Sequence, residues 1–315
     1  MSKKFELPDE LNFLTVGSLP QKHSTTRMDG KICVITGTTS GVGYHAAIRL
    51  AKAGAKIVMI VRNKEKAESI CAEIRSFSNQ NPVYYIADFA KLSEVRKACE
   101  DILKDYPRID VLINNAGIHI TTRQLTIDGY EMAFAVNHLA SFLITGLLLK
   151  RMVESAPSRI VQVNSEGHRF NGLKIDDLNW EKRKYGGYGG YGASKTAQLM
   201  TVWELSDLLQ NTGVTINAMH PGAVKSQIGS NNGKLYNLFS RYIIQPMLKN
   251  PEISGEAIYY LASSPEMEGL SGKFFNLTNV EIPAPHAMNR TLGKKIFEQS
   301  KELVQLDKSN FYDKI

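Results

Sequence analysis

Tyr191 and Lys195 stand four residues apart in KYGGYGGYGASK, residues 184–195, the spacing that puts two side chains on one face of a helix. An ammonium beside a phenol favours the ionised phenol. A free phenol titrates near ~10, and proton transfer is most effective when that value approaches the working pH, so the pair has the makings of a general acid or base. The same run holds Tyr185 and Tyr188, but four residues beyond them stand Gly189 and Gly192. Only Tyr191 has its cation. Two readings stay open, because Gly/Tyr-rich tracts are also flexible linkers, and Tyr185 and Tyr188 are expected in a flexible lip. A third polar group is Ser165 in QVNSEG; alone it is a turn or cap residue, and it gains chemical meaning only beside the tyrosine–lysine pair.

A second constellation lies upstream in TGTTSGVG, where Gly37, Gly41 and Gly43 are spaced G-x-x-x-G-x-G around Thr39, Ser40 and Val42. Such a run lets backbone approach a pyrophosphate at a helix N-terminus without Cβ clashes. Nineteen residues after Gly43 comes Arg62 in IVRNKEK, with Asn63 beside it and no acid at that strand end. An acid there would bind a ribose 2′-hydroxyl, whereas an arginine accepts a 2′-phosphate, so NADP(H) is expected over NAD(H); the alternative is a plain surface charge. Asp88, next to Phe89 in ADF, can accept from an adenine amino group. NNAG, residues 114–117, ends another strand with two amides and a glycine, and Asn114 either joins the site or ties adjacent strands together.

The elements that must position these groups alternate along the chain. Short β-branched runs at KICVIT, KIVMIV, VYYIA, DVLINN, RIVQVN and VTINAM are separated by long amphipathic stretches, the pattern of βαβ units building a parallel sheet. KFFN, residues 273–276, is a seventh strand closing one edge, and a helix begins near Tyr191. The expected fold is a single-domain, Rossmann-type, doubly wound α/β sheet of about seven parallel strands with helices on both faces. Ligands then sit beyond the carboxyl ends of the strands, near the switch point. Residues 1–28 form an N-terminal extension, 29–280 the nucleotide-binding domain, and 281–315 a C-terminal extension with a helix. KLYNLFSRYIIQPMLKN, residues 234–250, carries an apolar stripe that is either a substrate lid or a core-packing helix.

Composition narrows the function. The 315 residues are 43% hydrophobic and 22% charged, ordinary globular usage with ample material for a core. The net charge of +7 is scattered through short runs such as RNKEK and EKRKY that acids dilute, which speaks against a nucleic-acid surface. Cys33, Cys71 and Cys99 are too few and too dispersed for a disulfide framework or zinc knuckle, and no histidine pair has ligand spacing, so no metal is expected. With no signal-peptide core and no run of about 18 apolar residues, the expectation is a cytoplasmic protein without a transmembrane segment.

Taken in order, TGTTSGVG, NNAG, Asn137 in AVNHLAS, Ser165, YGASK and HPG (220–222) resemble the short-chain dehydrogenase/reductase family over roughly residues 29–280, and INAMHPGAV, MEGLSGKFF and GKKIFEQSKELV are similar to its retinol-dehydrogenase-like branch. The resemblance implies that Tyr191 is the general acid in reduction and the base in oxidation, that Lys195 lowers its pKa and holds the nicotinamide ribose, and that Ser165 orients the substrate oxygen. It implies a water chain anchored on Asn137. Pro221, Gly222 and Val224 would line the nicotinamide side, and Asn115, Ala116 and Gly117 the ribose and adenine half. Asn164 stands where the family commonly has serine, a departure expected to reshape the pocket. The implied activity is hydride transfer between NADP(H) and a small-molecule carbonyl or alcohol, apolar or aromatic if the 234–250 stripe faces a cleft. A homodimer is the partner the family suggests. A non-catalytic dinucleotide sensor and a reductase of carbon–carbon double bonds are the alternatives.

Overall fold

The structure of the protein is a computed structural model, and it describes residues 16, 19–224, 228 and 249–306. Most of the candidate lid at 234–250 lies outside the described residues. Seven strands run parallel: β1 Ile32–Thr36, β2 Lys56–Val61, β3 Val83–Ile86, β4 Val111–Asn114, β5 Ser158–Val163, β6 Val214–His220 and β7 Phe274–Asn276. An eighth, β8 Asn279–Glu281, returns antiparallel to β7. The sequence reading stopped at seven because both edge strands are three residues long and joined by a tight turn, with Leu277 at φ 55°. The spatial order is β3-β2-β1-β4-β5-β6-β7-β8, so the winding reverses between β1 and β4. That is where a doubly wound sheet opens a crevice.

Helices cover both faces. On one side lie α1 Gly41–Lys52, α2 Lys64–Phe77 and α6 Glu252–Ser263; on the other α3 Leu92–Asp105, α4 Met132–Glu154, α5 Gly187–Leu208 and α7 Arg290–Leu303. Strand side chains alternate between the two cores: Cys33, Ile35, Ile57 and Met59 face one, Val34, Val58, Ile60 and Leu112 the other, as a period of two requires. All three cysteines are free and buried. Gly54 ends α1 at φ 100°, the left-handed stop expected of a glycine.

Three elements depart from the sequence reading. Helix α5 begins at Gly187, not near Tyr191, because its glycines are packing surfaces: a Cβ on Gly187 would sit 2.6 Å from Ile120 O, and one on Gly192 would sit 2.8 Å from Gly167 O. The 23-residue α4 is long and apolar enough to cross a membrane by composition, yet 89% of its apolar window is buried inside the protein, so it is a core helix. The C-terminal extension is built into the core as well, since α7 lays Ile296 and Phe297 against α5 and Trp203 Nε1 donates to Ala287 O at 3.0 Å. Residues 19–28 run along the domain, with Lys22 N donating to Thr278 Oγ1 at 2.8 Å and Met28 N to Ala53 O at 2.8 Å.

Candidate active site

The glycine turn after β1 is held from below by the end of β4. Thr36 Oγ1 accepts from both Asn115 N and Ala116 N at 2.9 Å, and Asn115 Nδ2 donates to Thr36 O and Gly37 O at 3.0 and 2.9 Å. The Asn115 side chain therefore braces the turn. Gly37 (φ +69°) leaves no room for a side chain, since a Cβ would meet Ala116 Cα at 2.9 Å. Gly43 is a packing glycine too, buried 2.4 Å from Gly37 O at the Cβ position and away from the cleft wall. Ser40 precedes α1 without a side-chain cap, and no acid stands in the first turn. The helix N-terminus is thus left open for an anion.

From this turn a cleft of about 920 Å³ runs over the strand ends to α5. Gly37, Thr39, Ser40, Gly41, Val42, Arg62, Asn63, Asp88, Phe89, Asn115, Ala116, Gly117, Ser165, Tyr191, Lys195, Pro221, Gly222 and Val224, all named from sequence, line it. Arg62 is exposed and has no hydrogen-bond or ion-pair partner among the described residues. Beside it Lys66, which the sequence reading did not single out, also lines the cleft. Asn63 is spent on Lys66 N as the cap of α2, at 2.8 Å. Asp88 Oδ1 accepts from Ala90 N at 3.1 Å. Asn114 ties strands and helix together through Thr145 Oγ1 at 2.8 Å. An open helix N-terminus, a cradle without Cβ atoms and two cations at the β2 end suit a dinucleotide.

At the other end of the cleft Tyr191 projects from the first turns of α5. Burial pushes its phenol up to about 12, and the neighbouring Ser165 side chain draws it back. Ser165 Oγ also accepts from Gly167 N at 3.0 Å. Gly167 has no alternative here, since a Cβ would lie 2.5 Å from Tyr191 Cε1. Lys195 is 2% exposed and donates to Val163 O at 3.1 Å and Gln198 Oε1 at 3.0 Å. Burial pulls its pKa down to about 7. The ammonium lies 5.8 Å from the Tyr191 ring centre.

Asn137 is linked to Lys195 through Gln198. It lies in the five-residue π turn Ala135–Leu139 within α4, fully buried and off the cleft wall. Its amide accepts from Ile118 N at 2.8 Å and donates to Ile118 O and Ser194 Oγ, while its carbonyl takes Ser141 Oγ at 2.9 Å and Gln198 Nε2. Gln198 spans from the Asn137 carbonyl to the Lys195 ammonium. Asn164 joins the same network, with Nδ2 on Lys195 O at 2.9 Å and Gln198 Oε1 at 3.1 Å, and Oδ1 receiving Ser165 N at 2.8 Å. It ties Ser165 to the backbone of Lys195 and also lines the cleft. Gln198 escaped notice because its only sequence signal is its place three residues after Lys195.

The other tyrosines separate. Tyr185 leaves the expected lip: its hydroxyl donates to buried Glu131 at 2.9 Å and its ring packs edge-on to Trp180. Tyr188 stays at the mouth, 61% exposed, stacked edge-on to Phe170, which is 68% exposed, and 5.0 Å from the His119 ring. His119, an unforeseen wall residue, meets the Tyr191 ring edge-on at 5.7 Å.

The short chain dehydrogenase family description matches residues 31–236. The chain belongs to that family. Human retinol dehydrogenase 13 is 36% identical over 301 residues, covering 94% of this chain and 90% of that protein, which sets the chain in the retinol-dehydrogenase-like branch. A solved structure of an uncharacterised Mycobacterium paratuberculosis protein superposes with a TM-score of 0.71 at 28% identity, covering 89% of this chain and 95% of that one. Two others at 25% identity hold dinucleotides: a blue fluorescent protein from a metagenomic library in complex with NADPH (TM-score 0.63; 80% of this chain, 97% of that one) and 3-ketoacyl-(acyl-carrier-protein) reductase from Brucella melitensis with NADH (TM-score 0.60; 79% and 96%). This short-chain dehydrogenase is accordingly an oxidoreductase of alcohol or carbonyl groups, and its fold is one that takes a nicotinamide dinucleotide.

Proposed function

We propose that this short-chain dehydrogenase reduces an apolar or aromatic aldehyde or ketone with NADPH. The observation that carries the reading is the placing of Ser165, Tyr191 and Lys195 together in the cleft that begins at the glycine turn. Arg62 and Lys66 at the β2 end favour the 2′-phosphate. Phe170 and Tyr188 at the mouth favour a flat apolar substrate.

When bound, the nicotinamide supplies the hydride. The chain's part is orientation and a proton. Tyr191, with its phenol near 12, is protonated at neutral pH and holds the proton that a carbonyl oxygen needs as it becomes an alcohol. Ser165 directs that oxygen and steadies the phenol. Lys195 presents a cation to the ribose side from a pocket floored by Val163 O and Gln198. Replacing Tyr191 by Phe removes the proton donor and leaves the cleft's shape, so turnover should fall on the order of 10²- to 10⁴-fold with NADPH affinity unchanged. The measurement is NADPH consumption against a panel of aldehydes and ketones, beside a binding titration. Wild-type turnover in that variant would refute the assignment.

A further inference from the structure

Directly after Ser165, the 3₁₀ turn Glu166–Phe170 carries one guanidinium between two carboxyl groups. Arg169 Nε donates to Glu166 Oε2, and Nη2 donates to Glu281 Oε1 on β8 and, at 2.8 Å, to Ile282 O. The Glu281 side chain is fully enclosed and that of Glu166 is 22% exposed. Their remaining oxygens, Glu166 Oε1 and Glu281 Oε2, are both buried and accept no hydrogen bond. Two ionised carboxylates in this place would leave one negative charge without a counterion and two buried acceptors without donors, a costly arrangement.

Among the described residues no other group facing the cluster supplies the missing charge. His168 on the same turn accepts from Ala284 N at Nε2 (3.0 Å), so its Nδ1 carries the proton that goes to Ser165 O (2.7 Å); burial pushes its pKa down to about 3, and the ring is neutral. His220, at the end of β6, accepts from Glu166 N through Nδ1 at 3.4 Å, and burial brings it down to about 4. His286, from the 3₁₀ turn Pro285–Met288, spends Nε2 on His168 O at 2.8 Å.

We propose that Glu166 and Glu281 share one proton, forming a carboxyl–carboxylate pair bridged by Arg169, and that this clamp positions the Ser165 turn on β8. A proton between the two orphaned oxygens satisfies both at once and balances the charge. Like-charge pairs in one site hold a proton in this way, and they titrate as a pair. The Glu166 carboxyl is pushed up to about 7, by burial first and by Glu281 next. The connection to Ser165 is direct: its carbonyl accepts the His168 ring proton and its hydroxyl accepts Gly167 N. The clamp itself does not depend on the proposed reaction; only its consequence for Ser165 does.

The sign follows from linkage. A carboxyl whose folded pKa lies above its unfolded value binds its proton more tightly when folded. Its contribution to stability is therefore whole below the unfolded value of about 4.3 and declines as pH rises to about 7. Glu281→Gln and Glu166→Gln each supply an amide N–H where the shared proton sat. Thermal unfolding of the full chain from about pH 5.5 to about pH 8.5 should show the wild-type midpoint falling by on the order of 5 °C more than that of either variant. Infrared spectra should show a protonated-carboxyl band in wild type near pH 6 that vanishes near pH 8.5 and is missing from both variants. Parallel unfolding profiles, or a wild type without that band, would overturn the shared proton, and the wild-type spectrum decides even where a variant fails to fold. Positioning is read separately: Arg169→Lys, which keeps the charge and loses the fork, should lower kcat about tenfold with NADPH affinity intact, and an unchanged kcat would overturn that half.

Discussion

Replacing Gln198 by Leu removes the acceptor that Gln198 Oε1 offers to the Lys195 ammonium at 3.0 Å while keeping much of the side chain's bulk. A hydrogen bond to a charged group contributes about 1.5–3 kcal/mol, and one pKa unit corresponds to about 1.4 kcal/mol, so Lys195 should titrate about one to two units lower. It starts at about 7, already pulled down by burial. At pH near 7 the ionised fraction then falls from about a half to between roughly a tenth and a hundredth. With the cation required for cofactor capture, kcat/KM for NADPH should drop about 5- to 50-fold at that pH and much less near pH 5. The assay is the pH profile of kcat/KM for NADPH at saturating carbonyl, because that quantity reports the form of the enzyme before the dinucleotide arrives. Gln198→Glu puts a carboxylate in the same place and should move the descending limb the other way. A uniform loss at every pH, with the limb unmoved in both variants, would show that Gln198 only fills space and would refute its role as the lysine's acceptor.

Three further outcomes follow from the same geometry. Arg62→Asp replaces the exposed cation at the β2 end with an acid and should shift the NADPH-to-NADH ratio of kcat/KM toward NADH by on the order of 10- to 100-fold; an unchanged ratio would exclude a 2′-phosphate contact. Gly167→Ala drives a methyl to 2.5 Å from Tyr191 Cε1, so the ring must shift, and kcat should fall roughly 10- to 100-fold with NADPH binding retained. Tyr185→Phe removes one of the three donors to the buried Glu131 carboxylate, the phenol at 2.9 Å, and leaves Ala133 N and Phe134 N. It should cost about 1–3 kcal/mol of stability, read as a lower melting temperature, and should leave turnover near wild type; a collapse of turnover with stability intact would mean that the wrong phenol has been assigned.

The parts of the site legible in the sequence are those that a single strand end or helix turn carries. Gly37, Arg62, Asn115, Ser165 and Tyr191 each follow a β-branched run or sit one helical turn from a partner, and the parallel sheet brings those ends to one cleft. What the sequence hides is how side chains from distant segments share their polar atoms. Glu281 is remote from Glu166 along the chain, and nothing in EIPAP marks it as the second carboxyl on Arg169. The π turn at Asn137 has no sequence signature either, and it is what aims that carbonyl at Gln198. The glycine run before Tyr191 was misleading for a physical reason. Small residues there serve close approach to Ile120 and the Ser165 turn, and a helix built on them looks from composition like a linker.

Burial acts in opposite directions on the two groups of the tyrosine–lysine pair, and the difference agrees with the carbonyl reduction proposed above. It raises the Tyr191 phenol to about 12 and lowers the Lys195 ammonium to about 7, so that before the dinucleotide enters the phenol keeps its proton while the lysine stands at the edge of losing its own. A site built to begin with alcohol oxidation needs the phenolate as base, and here that form is disfavoured by burial, with Ser165 alone opposing it. A site built to begin with carbonyl reduction needs the proton on the phenol. That is the form these surroundings stabilise, and groups whose environments push their pKa values apart are the ones that divide acid and base roles between them. The buried backbone acceptor at Val163 and the Gln198 amide keep Lys195 from being a bare charge in an apolar pocket, which is how a lysine only 2% exposed can still offer a cation at neutral pH.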